Sequence, residues 1–302
     1  MAARSSTGIN RGYGWYLIPG LVLFTLFIFA PFVANIVVSF TRWSGIGMPT
    51  WIGLANYQKA ITDTTFWLSF RNNLSLIVAM TVIPTLLGLF LAAFLFDWVA
   101  PRVGSGAASF FRAAYYVPQV IPVVVAAVVW RWMYQPDWGV INYLLGMVGL
   151  EAWQQNWLGD KTTAMPAVMA VMVWIQLGYP LVIFMAGLQR IDPEMYEAAA
   201  LDGATWFRRF RSITVWLLMP EIFVVVLTTM IHALKVFAPI YAMTTGGPGN
   251  ATIVAAYFSY KNFFERSQVG YGAAVATVLT TVILIVAVLQ VRYQTQQESW
   301  EG

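Results

Sequence analysis

The chain contains no cysteine, so it can form neither a disulfide nor a thiolate metal site. Its single histidine, His232, rules out multi-histidine metal centres and leaves little from which to build an intramembrane enzyme. Charged residues make up only 10% of the 302 positions, against about 25% in a soluble domain. No Gly-x-x-x-x-Gly-Lys-Ser/Thr loop occurs, so the chain is not by itself a P-loop ATPase. The net charge of +4 is small, and the arginines lie between apolar runs, which fits topology rather than nucleic-acid binding. Apolar residues, by contrast, reach 59%, and the mean hydropathy is +0.67. That is the composition of an integral membrane protein.

A helix needs roughly 20 apolar residues to cross the hydrocarbon core. Segments 15–40, 70–97, 110–134, 163–188, 213–238 and 270–291 meet that length and predict an all-α chain of six spans. The first is too long for the apolar core of a signal peptide and lacks a small-x-small cleavage site, so it reads as a retained span. We treat 1–302 as a single transmembrane domain. With an N-terminus on the inside, the inner segments hold Arg4, Arg11, Arg102, Arg112, Arg190, Arg208, Arg209, Arg211 and Arg292. The longer outer loops, about 30 residues each, hold Arg42, Lys59, Lys161, Lys261 and Arg266. The positive-inside rule then places both termini on the cytoplasmic side of the membrane. Trp43, Trp51, Trp67, Trp132, Trp138, Trp153 and Trp157 crowd the outer side as an aromatic belt.

The inter-span segment 189–212 is unlike the rest. Asp192-Pro193 is a helix start, with Asp as N-cap, Pro in the first turn, and Glu194 and Glu197 near the positive end of the dipole. Met195, Ala198, Ala199 and Asp202 fall near one face, and Gly203 ends the helix or admits another backbone. Trp206, Phe207 and Phe210 alternate with Arg208, Arg209 and Arg211. The segment has two readings: an amphipathic helix lying in the interface, or a short helix that fits a groove on a partner, with the alanines allowing close contact.

Glu197-Ala198-Ala199-x-x-x-Gly203, nine residues, then Ile213, resembles the EAA loop of inner-membrane permeases of binding-protein-dependent ABC importers. The family pattern continues Ile-x-Leu-Pro, whereas this chain has Ile213-Thr214-Val215-Trp216 and its nearest proline is Pro220; that departure bears on the kink at the loop's exit. The likeness extends along the chain. Trp51-Ile52-Gly53-Leu54-Ala55-Asn56-Tyr57, followed by Asp63, Phe66-Trp67 and Asn72, is similar to the first outer loop of maltose-type carbohydrate permeases. Tyr116-Val117-Pro118, Trp130-Arg131-Trp132 and Pro136-Asp137-Trp138-Gly139 are similar to their third span and the stretch just after it. Thr245-Gly246-Gly247-Pro248-Gly249-Asn250-Ala251-Thr252 is similar to the Gly-Gly-Pro loop of the first permease subunit.

This resemblance implies a type I ABC importer permease fold whose cytoplasmic coupling helix, with Glu197, Ala198, Ala199, Asp202 and Gly203, docks into an ATPase. It implies a second homologous permease subunit, an ABC ATPase dimer and an extracytoplasmic sugar-binding protein as partners, besides membrane lipid. No cofactor is expected on this chain; ATP and Mg would be bound by the partner ATPase. The resemblance also implies sugar contacts at Trp174, Leu177, Gly178, Leu181, Thr229, His232, Ala233 and Val236. Two asparagine positions of the family site appear here as Ala233 and Val236, so hydroxyl recognition differs from that of maltose permeases.

The residues themselves leave alternatives open. Thr229, His232, Ala233 and Val236 share one face of the fifth span, and a sugar site needs aromatics beside hydrogen-bonding groups. Equally, His232 and Gln176 serve as interhelical hydrogen bonders, and Trp174 and Tyr179 as packing residues. Trp174, Gln176, Leu177, Gly178 and Tyr179 before Pro180 predict a break in the fourth span. Glu221 suits pairing with a loop arginine better than binding sugar. Lys235 and Arg131 are the available cavity cations should the cargo be glycerol-3-phosphate or a related phosphodiester. A secondary transporter would instead need internal repeats and intramembrane acids.

Overall fold

The computed structural model describes residues 14–301. Arg4 and Arg11 lie outside the described residues. Among the described residues, four helices are long and apolar enough to cross a membrane unaided: Trp15–Ser39, Thr64–Val103, Ala164–Leu188 and Val269–Gln294. Two bent pairs complete the set of six spans. Ser109–Val120 with Val123–Met133 turns through 95°, and Trp206–Leu217 with Met219–Leu234 through 70°. Two spans differ from their expected ranges: the second runs to 40 residues, past either end of 70–97, and the fifth covers Trp206–Leu234 rather than 213–238.

The described chain forms two compact units. One holds residues up to Thr62 together with Ser259–Val278. Here the first span presents apolar side chains on all sides, none of its window being buried, as a lipid-facing helix does. Beyond it Thr41–Arg42 pairs antiparallel with Thr50–Trp51. Asn56, from helix Ala55–Thr62, donates to the carbonyls of Ser39 and Thr41, both at 2.8 Å. Trp51 stacks on Phe40 at 5.5 Å. The Trp51–Tyr57 motif is therefore a strap folded over the end of the first span.

The other unit, Asp63–Phe258 with Leu279 onward, carries the remaining spans. The second span opens on Asp63, whose carboxylate accepts from the backbone N–H groups of Thr65 (2.8 Å) and Phe66 (3.3 Å). It widens into π-helical turns at Val78–Val82 and Leu95–Val99. Leu89, Ala92 and Leu95 pack with Leu181, Phe184, Met185 and Leu188 of the fourth span and with Leu218 and Val225 of the fifth. Burying each such side chain stabilises by roughly 1.5–3 kcal/mol where the alternative is water; between lipid-solvated helices, close packing carries more of the weight.

The third and fifth spans bend sharply, whereas the fourth carries the expected break without a sharp bend. Helices Ala164–Gln176 and Gly178–Leu188 are interrupted at Leu177, ahead of Pro180, but Leu177 keeps helical angles (φ −60°, ψ −35°) and Ala164–Leu188 remains one span. Two glycines explain this. A Cβ at Gly88 would lie 2.8 Å from Pro180 Cβ, and one at Gly178 would lie 2.7 Å from Tyr116 Cα. The second, third and fourth spans thus touch nearly backbone to backbone around Pro180, which limits how far the fourth can bend. In the third span Ile121, preceding Pro122, is extended (ψ 130°), and the helix breaks there. In the fifth, Leu218 (φ −91°, ψ 8°) leaves helical geometry just before Pro220. The kink that the family pattern assigns to a proline at position 216 is therefore present here, two residues beyond Trp216.

Candidate functional site

The loop helix spans Pro193–Leu201. Asp192 caps it as expected, its carboxylate accepting from the Glu194 N–H at 3.0 Å. At the other end the Ala204 N–H donates to the Ala199 carbonyl (2.9 Å) and the Gly203 N–H to that of Ala200 (3.0 Å). This is a Schellman closure, and it requires the left-handed φ of +75° that Gly203 supplies. No residue of the helix is buried. Glu197, Ala198, Asp202 and Gly203 are exposed, and Ala199 is half-buried. Leu201 is 90% exposed and Met195 45%. The helix thus offers two apolar side chains flanked by Glu194, Glu197 and Asp202. The exposure of Leu201 was not anticipated from its spacing.

An exposed helix stays in place only if tethered. The Tyr196 hydroxyl meets Thr214 Oγ1 at 2.9 Å, and Arg209 Nη1 donates to the Tyr196 carbonyl at 3.4 Å. Burial pushes the Tyr196 phenol above its ordinary pKa, so it remains a neutral hydrogen-bonding group. Trp206 Nε1 donates to Asp97 Oδ2 of the second span at 2.8 Å, its ring edge-on to Phe90 and stacked on Phe210. Arg190 forms an ion pair with Glu221, the loop-arginine partnership expected for that acid. Tyr196, Asp97 and Trp206 had no functional signal in sequence, since a lone acid in an apolar run shows no partner until the chain folds.

Toward the opposite end of the fifth span lies a cavity of about 560 Å3. His232, Lys235, Val236 and Phe237 line it together with Gln119 and Gln176, and the lining includes no carboxylate. Gln176 is only 3% exposed, yet its Nε2 has no hydrogen-bond partner, nor does the buried Oε1 of Gln119. Lys235 follows the last helical residue, Leu234. Asn73 of the second span holds this helix end: its amide donates to the carbonyls of Ala233 and Leu234, both at 3.2 Å, and its Oδ1 accepts from the Ala255 N–H at 2.9 Å. Neighbouring Asn72 donates to the carbonyls of Ala251 (3.0 Å) and Ile253 (2.8 Å), tying down the Gly-Gly-Pro loop.

Of the eight residues the resemblance pointed to, His232 and Val236 line this cavity. Thr229 is fully buried, its hydroxyl donating back to the Val225 (2.8 Å) and Val226 (3.3 Å) carbonyls. Ala233 and Leu181 are fully buried, Gly178 is packed on the third-span backbone, and Leu177 is half-buried. Trp174, 38% exposed, lies edge-on to Trp130 at 5.4 Å. Gln119 and Gln176 are the lining groups that the face pattern missed as site residues. Arg131 lines a separate space of about 300 Å3 with Tyr134, Asn156, Thr245 and Pro248, apart from Lys235.

Six spans, the third and fifth of them bent, an exposed helix between the fourth and fifth and a polar-lined cavity are the features of a transport permease. Residues 107–297 match the family described as the binding-protein-dependent transport system inner membrane component, and the chain belongs to that family. It is a multi-pass membrane protein, the permease subunit of a binding-protein-dependent importer. It is 38% identical to a probable ABC transporter permease of Pyrococcus horikoshii, over 90% of this chain and 91% of that one. It is 34% identical to the diacetylchitobiose uptake system permease of Streptomyces coelicolor (89% and 78% covered). With the trehalose/maltose transport system permease of Thermococcus litoralis it shares 32% identity (89% and 88% covered). Its fold is that of a bacterial ABC transporter that imports alginate, with a TM-score of 0.81, 20% identity and 94% of each chain covered.

Proposed function

We propose that this chain carries a sugar or oligosaccharide across the membrane, powered by ATP that a separate subunit hydrolyses. The chain itself is not an enzyme and binds no cofactor; ATP and Mg sit on a pair of ABC ATPases. Both termini and the loop helix face the cytoplasm, as the arginine distribution supports. Glu197, Ala198, Ala199, Asp202 and Gly203 dock into a cleft of one ATPase. A second, homologous permease engages the other. ATPase closure turns the cavity outward to receive sugar from the extracytoplasmic binding protein, and reopening after hydrolysis releases it inward.

The observation that carries this reading is the loop helix: capped at both ends, tethered through Tyr196 to the start of the fifth span, and exposing Met195 and Leu201 to no partner within the described unit. Relatives named for diacetylchitobiose, trehalose and maltose support sugar as cargo. Lys235 in a cavity without carboxylates favours one second reading, the same machine importing glycerol-3-phosphate or a related phosphodiester. Reversing charge at Glu197 (Glu197→Lys) in the complete transporter should abolish ATP-driven uptake while the chain still inserts. Uptake and ATPase co-purification that both survive would refute the docking assignment, and uptake driven by a proton gradient without any ATPase would refute the importer itself. Uptake assays with neutral sugars and glycerol-3-phosphate separate the two cargo readings.

A further inference from the structure

We infer that the second span is the member through which the loop helix moves the cavity, and that Asp97 and Trp206 are the positioning residues that fasten it. This rests on the reading of the chain as the permease of an ATP-driven importer. Three observations in one compact unit carry it. At one end of helix Thr64–Val103, Asp97 accepts the Trp206 indole N–H at 2.8 Å, and Phe90 meets the Trp206 ring at 5.9 Å. At the other end, Asn73 holds the carbonyls of Ala233 and Leu234, the turn that presents His232 and Lys235 to the cavity. Asp97 follows Asn73 by 24 positions along this helix, about 36 Å at 1.5 Å per residue.

The fifth span makes a poorer lever. It bends by 70° at Leu218, so movement of the loop is not passed along its axis. The second span has no such break, and Leu89, Ala92 and Leu95 bed it on the fourth and fifth spans. Asp97 lies in the widened turn Leu95–Val99, a geometry frequent at functional positions in helices. A carboxylate at the end of an apolar span is costly unless bonded. The bond it makes is to the segment that leaves the loop helix: Trp206 lies three residues after Gly203, and Arg209 and Thr214 of the same segment grip Tyr196 of the loop helix.

The test uses the complete transporter in proteoliposomes with its binding protein, reading sugar uptake per ATP hydrolysed. Trp206→Phe keeps the ring and loses only the N–H; Asp97→Leu removes the acceptor; Asp97→Asn keeps one. Uptake per ATP should fall about tenfold in Trp206→Phe and in Asp97→Leu, no further in the double variant, because both remove one bond, and should largely recover in Asp97→Asn. A merely structural role would lower uptake and hydrolysis together. As a second readout, Val123→Cys puts the chain's single thiol on the cavity wall. Its reaction with a water-soluble maleimide should respond to ATP in the otherwise unchanged chain and cease to respond in Trp206→Phe. Wild-type coupling in both single variants, losses that multiply in the double, or thiol labelling that still tracks ATP would overturn the inference. Failure of the unmodified transporter to take up sugar with ATP would instead overturn the functional reading beneath it.

Discussion

At the loop helix the unmet chemistry is apolar: Met195 and Leu201 stand in the open while both helix ends are capped and closed. At the cavity it is polar: Gln176 Nε2 and Gln119 Oε1 are buried without partners, and Lys235 faces a lining with no carboxylate. The difference matches the partner proposed for each region. A protein partner removes exposed apolar surface from water, whereas a hydroxyl-rich ligand supplies hydrogen bonds to groups that folding left unsatisfied. Stability and function therefore pull together at the loop and apart at the cavity.

The largest effect should come from placing charge on the apolar part of the loop. Leu201→Asp leaves the helix intact, since Leu201 touches little within the chain. It should weaken ATPase binding by at least about 30-fold, the weight of a central apolar anchor. Co-purification across a range of ATPase concentrations checks this. Affinity unchanged by Leu201→Asp would mean that the acids, not the apolar pair, form the contact.

Next in size is the helix end. Gly203→Val forces a β-branched residue into φ +75°, a strain of about 2 kcal/mol, and should loosen the closure between Ala199 and Ala204. Uptake should drop sharply, while Gly203→Asn, which tolerates left-handed backbone, retains most of it. A glycine needed only for close approach would give the opposite pattern, failing with Asn as with Val; a Cβ there meets nothing within 4 Å in the free chain.

The opposed behaviour of the cavity is read at Gln176. Gln176→Leu removes a buried, unpaired amide at similar size, so the free chain should gain about 1 kcal/mol and melt higher in detergent. Sugar uptake should nevertheless fall several-fold. A variant both more stable and fully active would return Gln176 to helix packing and break the comparison at its polar half.

The spans and the capped loop were legible in sequence because their causes are local. Asp192, Pro193 and Gly203 act within a few residues, and six apolar runs announce themselves by length. What was not legible depends on neighbours in space. Pro180 and Pro220 look alike in sequence, yet Gly88 and Gly178 bring two other spans against the first, where no sharp bend forms, while the second opens the helix Met219–Leu234 just after the 70° bend at Leu218. Asn72 and Asn73 are adjacent in sequence but serve different carbonyls, in the Gly-Gly-Pro loop and at the end of the fifth span. Helical spacing puts Thr229, His232, Ala233 and Val236 on one face, but the helix ends at Leu234, ahead of Val236, and His232 and Val236 line the cavity while Thr229 does not.

Thr229 supplies the smallest and most discriminating prediction. Its hydroxyl is already satisfied by the Val225 and Val226 carbonyls of its own helix, and its side chain is enclosed. Thr229→Val keeps the shape and removes a back-bond that contributes little to a helix. Stability should change by less than about 0.5 kcal/mol, and uptake should be unaltered. His232→Ala, one turn along, removes a cavity-lining ring and should change substrate preference by about three- to tenfold, the scale of one hydrogen bond. The pair is best measured together by competition uptake with two sugars. If Thr229→Val shifts preference as much as His232→Ala, the transporting state must turn that hydroxyl away from its own helix and toward the sugar. The face shared by Thr229, His232, Ala233 and Val236 would then act as a whole, and the buried positions would be contacts made only when the span rotates.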